Sequence, residues 1–291
     1  MKSVICPLCG CYDSEKRFSE RNYDLLACKN CELFFIHPYG TDVHKKVTTY
    51  GYEELKIVDP MRQHIASKSY FKNEYLSYIE SEFVGAQSIL DVGCGTGTLL
   101  ELLSETHPNV LRVGVELNTE RAQFAKKVAK CEIYQVPIEK FLYERKFDVI
   151  TMINVLSHIP SIENLFTSIR CLLATDGKLI MKVGEMAVDV KKDAVFDWGF
   201  PDHLHFLGLN TIQFICNKYA FKIVRHERKP LSKDLFSRNR WIAPGRSSIR
   251  NIVKRIVALT PFTLLLLRKL YEIRHGNKIW SSFLVLSPEN K

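Results

Sequence analysis

The sequence predicts an α/β fold built on a mostly parallel sheet covered on both faces. Three observations carry that prediction. Short apolar runs alternate with stretches of helical period over residues 88–183, the pattern of parallel strands joined by helical crossovers. The first run, Ser88 to Val92, passes into a turn with glycine at alternate positions, Gly93, Gly95 and Gly97, and then into a helical stretch. A strand, glycine turn and helix in that order make a nucleotide site at the carboxyl edge of an open sheet. Val110 to Glu116 is a second strand ending in an acid, one βαβ step later, where a carboxylate can accept both hydroxyls of a ribose.

Residues 1–40 hold Cys6-Pro-Leu-Cys9 and Cys28-Lys-Asn-Cys31. Each pair forms a knuckle that grips one side of a tetrahedral ion, and the intervening residues suit a hairpin that brings the knuckles together. Cys6, Cys9, Cys28 and Cys31 are therefore the expected ligands of a structural zinc, with Cys11 near enough to be a spare. Residues 41–86 are expected to bridge to the core. Ile65, Tyr70, Phe71, Tyr75, Leu76 and Ile79 make one apolar stripe on a helix from about Met61 to Glu82. Strands follow near 88–92, 110–115, 131–135, 147–153 and 177–183, and helices near 97–105, 119–129 and 161–173. Asp176-Gly177 is expected to turn into the fifth strand. A helix near 210–219, a strand from Phe221 to Arg225 and a last strand from Ser281 to Leu286 close the core. The expected divisions are thus 1–40, 41–86, a core of 87–228 plus 278–291, and an insert of 229–277.

That insert is the basic part of the chain. Of a net charge of +9, the stretch from Lys218 to Lys278 carries sixteen Lys and Arg against three acids, which leaves residues 1–217 net acidic. Ile249, Ile252, Val253, Ile256 and Val257 share a helical face, Pro261 breaks it, and Leu264 to Leu267 begin a second apolar helix with Arg268, Lys269 and Arg274. Two readings stay open: a helical pair packed on the core with a solvated basic face, or an element over 246–275 lying in an anionic membrane surface. No apolar run reaches the roughly 18 residues of a spanning helix, and Cys6 and Pro7 interrupt any apolar leader. Nine cysteines, four of them in two pairs, favour metal and reduced thiols in such a chain. A cytoplasmic protein is expected, peripheral to the inner membrane face if the insert binds lipid.

The spacing Asp-x-Gly-x-Gly-x-Gly differs from the dinucleotide fingerprint and lacks the Lys-Ser/Thr of a phosphate loop, so a nucleotide without phosphates is expected. Ile89-Leu-Asp-Val-Gly-Cys-Gly-Thr-Gly97 and Gly114-Val-Glu116 resemble the first two motifs of the class I S-adenosylmethionine-dependent methyltransferases. The resemblance implies a Rossmann-like, seven-stranded sheet with an antiparallel edge strand, preceded here by the zinc-binding segment. It implies that Asp91, Gly93, Cys94, Gly95, Gly97, Glu116 and Leu117 hold the donor, with Pro137 and Ile138 walling the adenine. Asn154 and Val155 would flank the methionine end, and Tyr50-Gly-Tyr52 stands where related enzymes place a lid.

The resemblance extends over Phe147-Asp-Val-Ile-Thr-Met-Ile-Asn-Val-Leu-Ser-His-Ile-Pro160, where many relatives have an acid in place of Ser157. His158 is the first candidate for a general base, since an imidazole titrates near neutral pH. It reads equally well as a histidine that packs or caps the next helix. Asp202, His203 and His205 form a second group at the acceptor edge of the sheet, suited to acceptor recognition or proton transfer. The whole pattern resembles zinc-knuckle methyltransferases associated with bacterial polysaccharide biosynthesis. It implies methylation of a sugar or glycan hydroxyl, on an acceptor that is lipid-linked if the insert binds membrane. The competing readings are a ribosomal RNA methyltransferase with a zinc ribbon and a non-catalytic S-adenosylmethionine-binding partner. The first is disfavoured because the basic run is interleaved with Leu and Ile more than with stacking aromatics.

Overall fold

In the computed structural model, residues 4–39, 59–195, 197–236 and 260–289 are described. The first of these form three strands, β1 (Ser14–Glu20), β2 (Tyr23–Cys28) and β3 (Phe34–His37). The 41–86 bridge resolves from residue 59 onward into α1 (Pro60–Tyr70), a π turn over Phe71–Tyr75, α2 (Leu76–Ile79) and a 3-10 turn over Glu80–Phe83. The apolar stripe expected there is broken. The π turn adds a residue and rotates the face, so Tyr75, Ile79 and Phe83 are buried while Ile65 is 56% exposed. His64 of α1 is buried instead, and Gln63 and Ser67 line a cavity. Tyr50-Gly-Tyr52 lies outside the described residues.

Strands and helices then alternate: β4 (Ser88–Val92), α3 (Thr98–Thr106), β5 (Leu111–Val115), α4 (Thr119–Ala129), β6 (Glu132–Tyr134), β7 (Phe147–Ile153), α5 (Ile162–Leu172) and β8 (Leu173–Met186). After β9 (His205–Phe206) come α6 (Thr211–Tyr219), β10 (Phe221–Pro230), α7 (Leu231–Leu235), α8 (Pro261–His275) and β11 (Ile279–Pro288). Seven strands form one sheet in the order β10-β11-β8-β7-β4-β5-β6. The pairs among β4 to β8 are parallel, and β11 runs antiparallel between β8 and β10. The order reverses at β4, between β5 and β7, which opens a crevice at the carboxyl ends of those strands.

Period-two alternation divides the sheet between two cores. Leu90, Ile150, Leu179 and Leu284 pack with Leu165, Phe166 and Ile169 of α5. Their neighbours Ile89, Val149, Ile180 and Phe283 pack on the other face with Tyr75, Ile79, Leu99 and Leu103. Local signals set the helix ends: the Ser161 hydroxyl accepts from the Asn164 N–H, and the Asn118 side chain from the Arg121 N–H. Asp176-Gly177 does not begin the fifth strand. It lies inside β8, whose pairing with β7 jumps from Phe147↔Leu173 to Val149↔Lys178, a bulge rather than a turn.

The amino-terminal strands join the rest of the molecule directly. Their sheet runs β1-β2-β3-β9, with Phe34 paired to Phe206 and Phe35 to His205. From the insert, α7 and α8 are described; the helix expected over Ile249 to Val257 lies outside the described residues. Among the described residues no helix is long and apolar enough to cross a membrane.

Candidate active site

The glycine turn after β4 closes back onto β5. The Gly93 and Cys94 N–H groups donate to the Val115 carbonyl at 2.8 and 3.0 Å. Gly93 has φ +68°, and a Cβ there would stand 2.6 Å from a Val155 methyl. Gly97 has φ +75° and would meet Ala125 at 3.0 Å. Both positions therefore need glycine for backbone conformation and for close approach. Glu116 is buried, and its carboxylate accepts from the Gly95 N–H at 2.9 Å and the Asn118 N–H at 2.8 Å. The acid at the end of β5 is thus tied to the glycine turn.

A cavity of about 390 Å³ opens over this turn. Gly93, Gly95, Glu116, Leu117, Ile138, Asn154 and Val155 line it, with Gln63 and Ser67 of α1 forming part of the rim. The remaining cofactor candidates lie behind the wall. Asp91 is buried and accepts from the Thr151 hydroxyl at 2.7 Å. Burial pushes its carboxyl up to about 7; the Thr151 bond pulls the other way and Glu116 adds to the rise. Cys94 is buried among Leu100, Ala125 and Ala129, and burial drives its thiol well above the usual range. Gly97 begins α3, and Pro137 precedes the short turn that carries Ile138. These residues shape the wall from beneath.

A second cavity, about 310 Å³, lies beyond Asn154 and His158, and both residues line the two cavities. Asn154 has φ +58°, a left-handed conformation that asparagine tolerates and that concentrates at functional sites. Its amide donates to the Tyr75 hydroxyl at 3.3 Å, and its carbonyl oxygen accepts from Lys182 Nζ at 3.1 Å. His158 Nδ1 lies 3.1 Å from the Asp202 carbonyl and 3.2 Å from its carboxylate. An Nδ1–H donated to either oxygen leaves Nε2 as the proton acceptor. The acid that the sequence lacks at Ser157 is therefore supplied by a residue far along the chain.

His203 faces the same cavity and packs edge-on to His158, ring centroids 4.8 Å apart. Its Nδ1 is 2.9 Å from the Trp198 carbonyl. Burial and the neighbouring His158 charge lower its pKa, which favours the neutral ring. His205 also lines the cavity, but it is 1% exposed, and its ring stacks near Tyr39, whose hydroxyl lies 3.4 Å from His205 Nδ1. Of the three histidines, His158 alone reaches both cavities. Sequence reasoning missed Lys182, Tyr75, Gln63 and Ser67, none of which stands in a recognisable motif.

The four knuckle cysteines converge. Cys6 and Cys31 Sγ are 3.6 Å apart, Cys9 and Cys28 Sγ 3.5 Å, and all four sulfurs lie within 4.8 Å of one another. Thiolates at about 2.3 Å from a tetrahedral ion stand about 3.8 Å apart, so the arrangement fits a single ion. Cys11 stays outside this group, its sulfur taken by the Asp13 N–H at 3.4 Å.

Sheet order, glycine turn and acid-tipped second strand together define a class I S-adenosylmethionine-dependent methyltransferase domain. A family profile described as a methyltransferase domain matches residues 61–226, and the chain belongs to that family. Over 117 residues it is 34% identical to a ubiquinone biosynthesis O-methyltransferase of Actinobacillus pleuropneumoniae serotype 7 (strain AP76), covering 36% of this chain and 49% of that one. The chain thus spans about half the length of the curated relatives it matches. It is similar in fold to the geranyl diphosphate C-methyltransferase of Streptomyces coelicolor A3(2), with TM-score 0.60 and 10% identity over 86% of this chain and 99% of that one. It is also similar to an O-methyltransferase of a trans-AT PKS multienzyme of Brevibacillus brevis, in complex with S-adenosyl-L-homocysteine, with TM-score 0.54 and 15% identity over 86% and 80% of the two chains.

Proposed function

We propose that this protein methylates a hydroxyl of a sugar or glycan, using S-adenosylmethionine as donor. The observation that carries the reading is the meeting of the two cavities at Asn154 and His158. When bound, the donor supplies a sulfonium methyl for in-line displacement. Glu116 would take the ribose hydroxyls, Ile138 and Leu117 would wall the adenine, and Asn154 and Val155 would flank the methionine end. His158 Nε2 would remove the acceptor proton, and Asp202 would hold the ring's other nitrogen and steady the imidazolium that forms. Holding donor and acceptor in line across one seam supplies the rest of the rate advantage.

Two features support an oxygen of a sugar. The curated relatives that the chain matches are named O-methyltransferases. The acceptor cavity joins Trp198, Trp280 and Tyr70 to His, Asp and Glu side chains, which is the mixture of flat apolar faces and hydrogen-bonding groups that a sugar ring needs. The Cys6, Cys9, Cys28 and Cys31 cluster would hold a structural zinc, since four thiolates leave no open position for chemistry.

The face of α8 that carries Phe262, Leu265, Leu266, Leu270 and Ile273 is exposed, with Lys269 along the same stripe. We read it as a peripheral anchor on anionic lipid, which would suit a lipid-linked acceptor. An apolar face of this kind does not track a phosphate backbone, so the RNA reading loses its support here. Incubating the protein and methyl-labelled S-adenosylmethionine with fractionated cell extract tests the proposal. Label should enter a glycan fraction; label in ribosomal RNA, or in no fraction while the donor binds, would overturn it.

A further inference from the structure

His158, Asp202 and His203 converge more closely than the orienting of one imidazole requires. One ring nitrogen of each histidine and one Asp202 carboxylate oxygen lie within 4.8 Å of one another. The His158 Nδ1 to Asp202 Oδ1 distance is 3.2 Å. Nitrogen and oxygen ligands at about 2.0–2.1 Å from a tetrahedral ion stand about 3.4 Å apart, so a small side-chain rotation closes the set. His203 is fixed on one side: its Nδ1 lies 2.9 Å from the Trp198 carbonyl, and a Cβ on Gly199 would stand 2.9 Å from that nitrogen. An Nδ1–H donated to the carbonyl leaves Nε2 with its lone pair, and metal-binding histidines are oriented by such a bond. His158, with 29% of its side chain exposed, is the ring with room to turn. A carboxylate presents about four lone-pair directions, so Asp202 can take an ion alongside its other contacts. The group is open from two sides, since His158 and Asp202 line the first cavity and His158 and His203 the second.

We propose that these three residues form a second metal site, in addition to the four cysteines, for a divalent transition ion of the zinc type. Two imidazoles and one carboxylate suit zinc, iron or nickel, whereas magnesium and calcium prefer oxygen ligands. Three protein ligands leave a position open toward the seam. Occupation changes what His158 can do. A neutral imidazole bound to metal through Nδ1 carries its one hydrogen on Nε2, so it presents an N–H where the proposed base needs a lone pair. The bound ion and proton removal by His158 therefore exclude each other, and the ion inhibits methyl transfer. That consequence rests on the reading of His158 as base; the site itself does not.

The test uses the full chain loaded with one equivalent of zinc, a content measured first, and then adds cobalt(II) alone. The wild type should take up one further equivalent, with d–d absorption, no thiolate charge-transfer band, and paramagnetically shifted NMR signals from two imidazole rings. His203→Gln and Asp202→Asn should each weaken cobalt binding by at least about tenfold, and His203→Gln should lose one of the two shifted rings. Transfer of labelled methyl to the glycan fraction should fall by at least about tenfold as the second equivalent binds, and return when the added cobalt is washed away. Uptake spread over several weak sites, thiolate bands alone, or cobalt affinity unchanged in both variants would overturn the site. Undiminished transfer with the ion in place would overturn the exclusion. The wild-type spectrum and stoichiometry decide even if a variant does not fold. If no label enters glycan before cobalt is added, the glycan reading fails, while the cobalt measurements still decide the site.

Discussion

His158 owes its orientation to Asp202, and Asp202 is kept in place by a loop that no local sequence signal ties to β7. Replacing His158 by Ala should lower label transfer by about 10²- to 10⁴-fold, the usual contribution of a placed general base, while S-adenosyl-L-homocysteine binding stays within about threefold. Asp202→Asn keeps the size and loses the charge, so its loss should be smaller. Equal activity in all three proteins would remove His158 from the mechanism. Asp91 makes a second residue-scale prediction. Its carboxyl is raised by burial to about 7 from an ordinary 3.8. A raised carboxyl binds protons that the unfolded chain has released. Its contribution to stability is therefore full below about pH 4 and is lost as pH rises through about 7. Denaturant unfolding of the ligand-free protein should show the wild type losing stability relative to Asp91→Asn over that window, at about 1.4 kcal/mol per pH unit as an upper slope. Parallel curves would show that Asp91 is ionised throughout.

At the scale of elements, the knuckle segment and the segment from Leu204 to Thr211 are one structure. Beyond the β3 to β9 pairing, the Leu204 carbonyl accepts from the Ile36 N–H at 2.9 Å, and the Cys31 carbonyl from the Thr211 hydroxyl at 2.8 Å. Glu32 takes the Asn210 N–H at 3.0 Å and its side-chain amide at 2.7 Å. A Cβ on Gly208 would stand 2.2 Å from the Glu32 carbonyl, so the two backbones touch where only glycine fits. With the zinc proposed for the four cysteines, a chelator should raise amide exchange over residues 204–211 as well as in the knuckles, and leave S-adenosyl-L-homocysteine binding largely intact. Unchanged exchange over 204–211 would mean that the segment stands without the ion. Helix α1 is coupled to the donor side instead. His64 Nε2 lies 2.9 Å from the Glu101 carboxylate, and Lys68 bridges Glu101 and Glu105 at 2.9 and 3.1 Å. Glu101→Gln should therefore weaken donor binding several-fold through Gln63 and Ser67, a change that calorimetry would read directly.

For the whole molecule, the excess positive charge of the sequence is gathered on the late segment, and among the described residues α8 exposes Phe262, Leu265, Leu266, Leu270 and Ile273. Sedimentation with vesicles containing phosphatidylglycerol should be measurable at low salt and fall as salt rises. Ile273→Asp, at a site 81% exposed, should reduce it without changing the unfolding midpoint by more than a degree or two. Vesicle binding that ignores both salt and this substitution would show that α8 is not the anchor.

Much of the site was legible before any coordinates because its signals are local. The glycine turn and each cysteine pair span only a few residues, Glu116 ends the next strand, and their backbone demands leave little choice of residue type. The alternation of β4 through β8 likewise followed from periodicity, which reports burial directly. The interruption of the 61–82 helix was not legible, since a π turn costs one residue of phase and leaves no compositional mark. Nor was the partnership of His158 with Asp202, of Asn154 with Lys182 and Tyr75, or of β3 with β9. Each joins segments 28 to 172 residues apart, and pairing over such distances is decided by how the whole core packs. The sequence by itself determined the glycine turn and the acid beneath the first cavity, because their backbone demands are local. The second cavity was decided only by the tertiary structure, because its wall is assembled from strand ends and loops that meet nowhere along the chain.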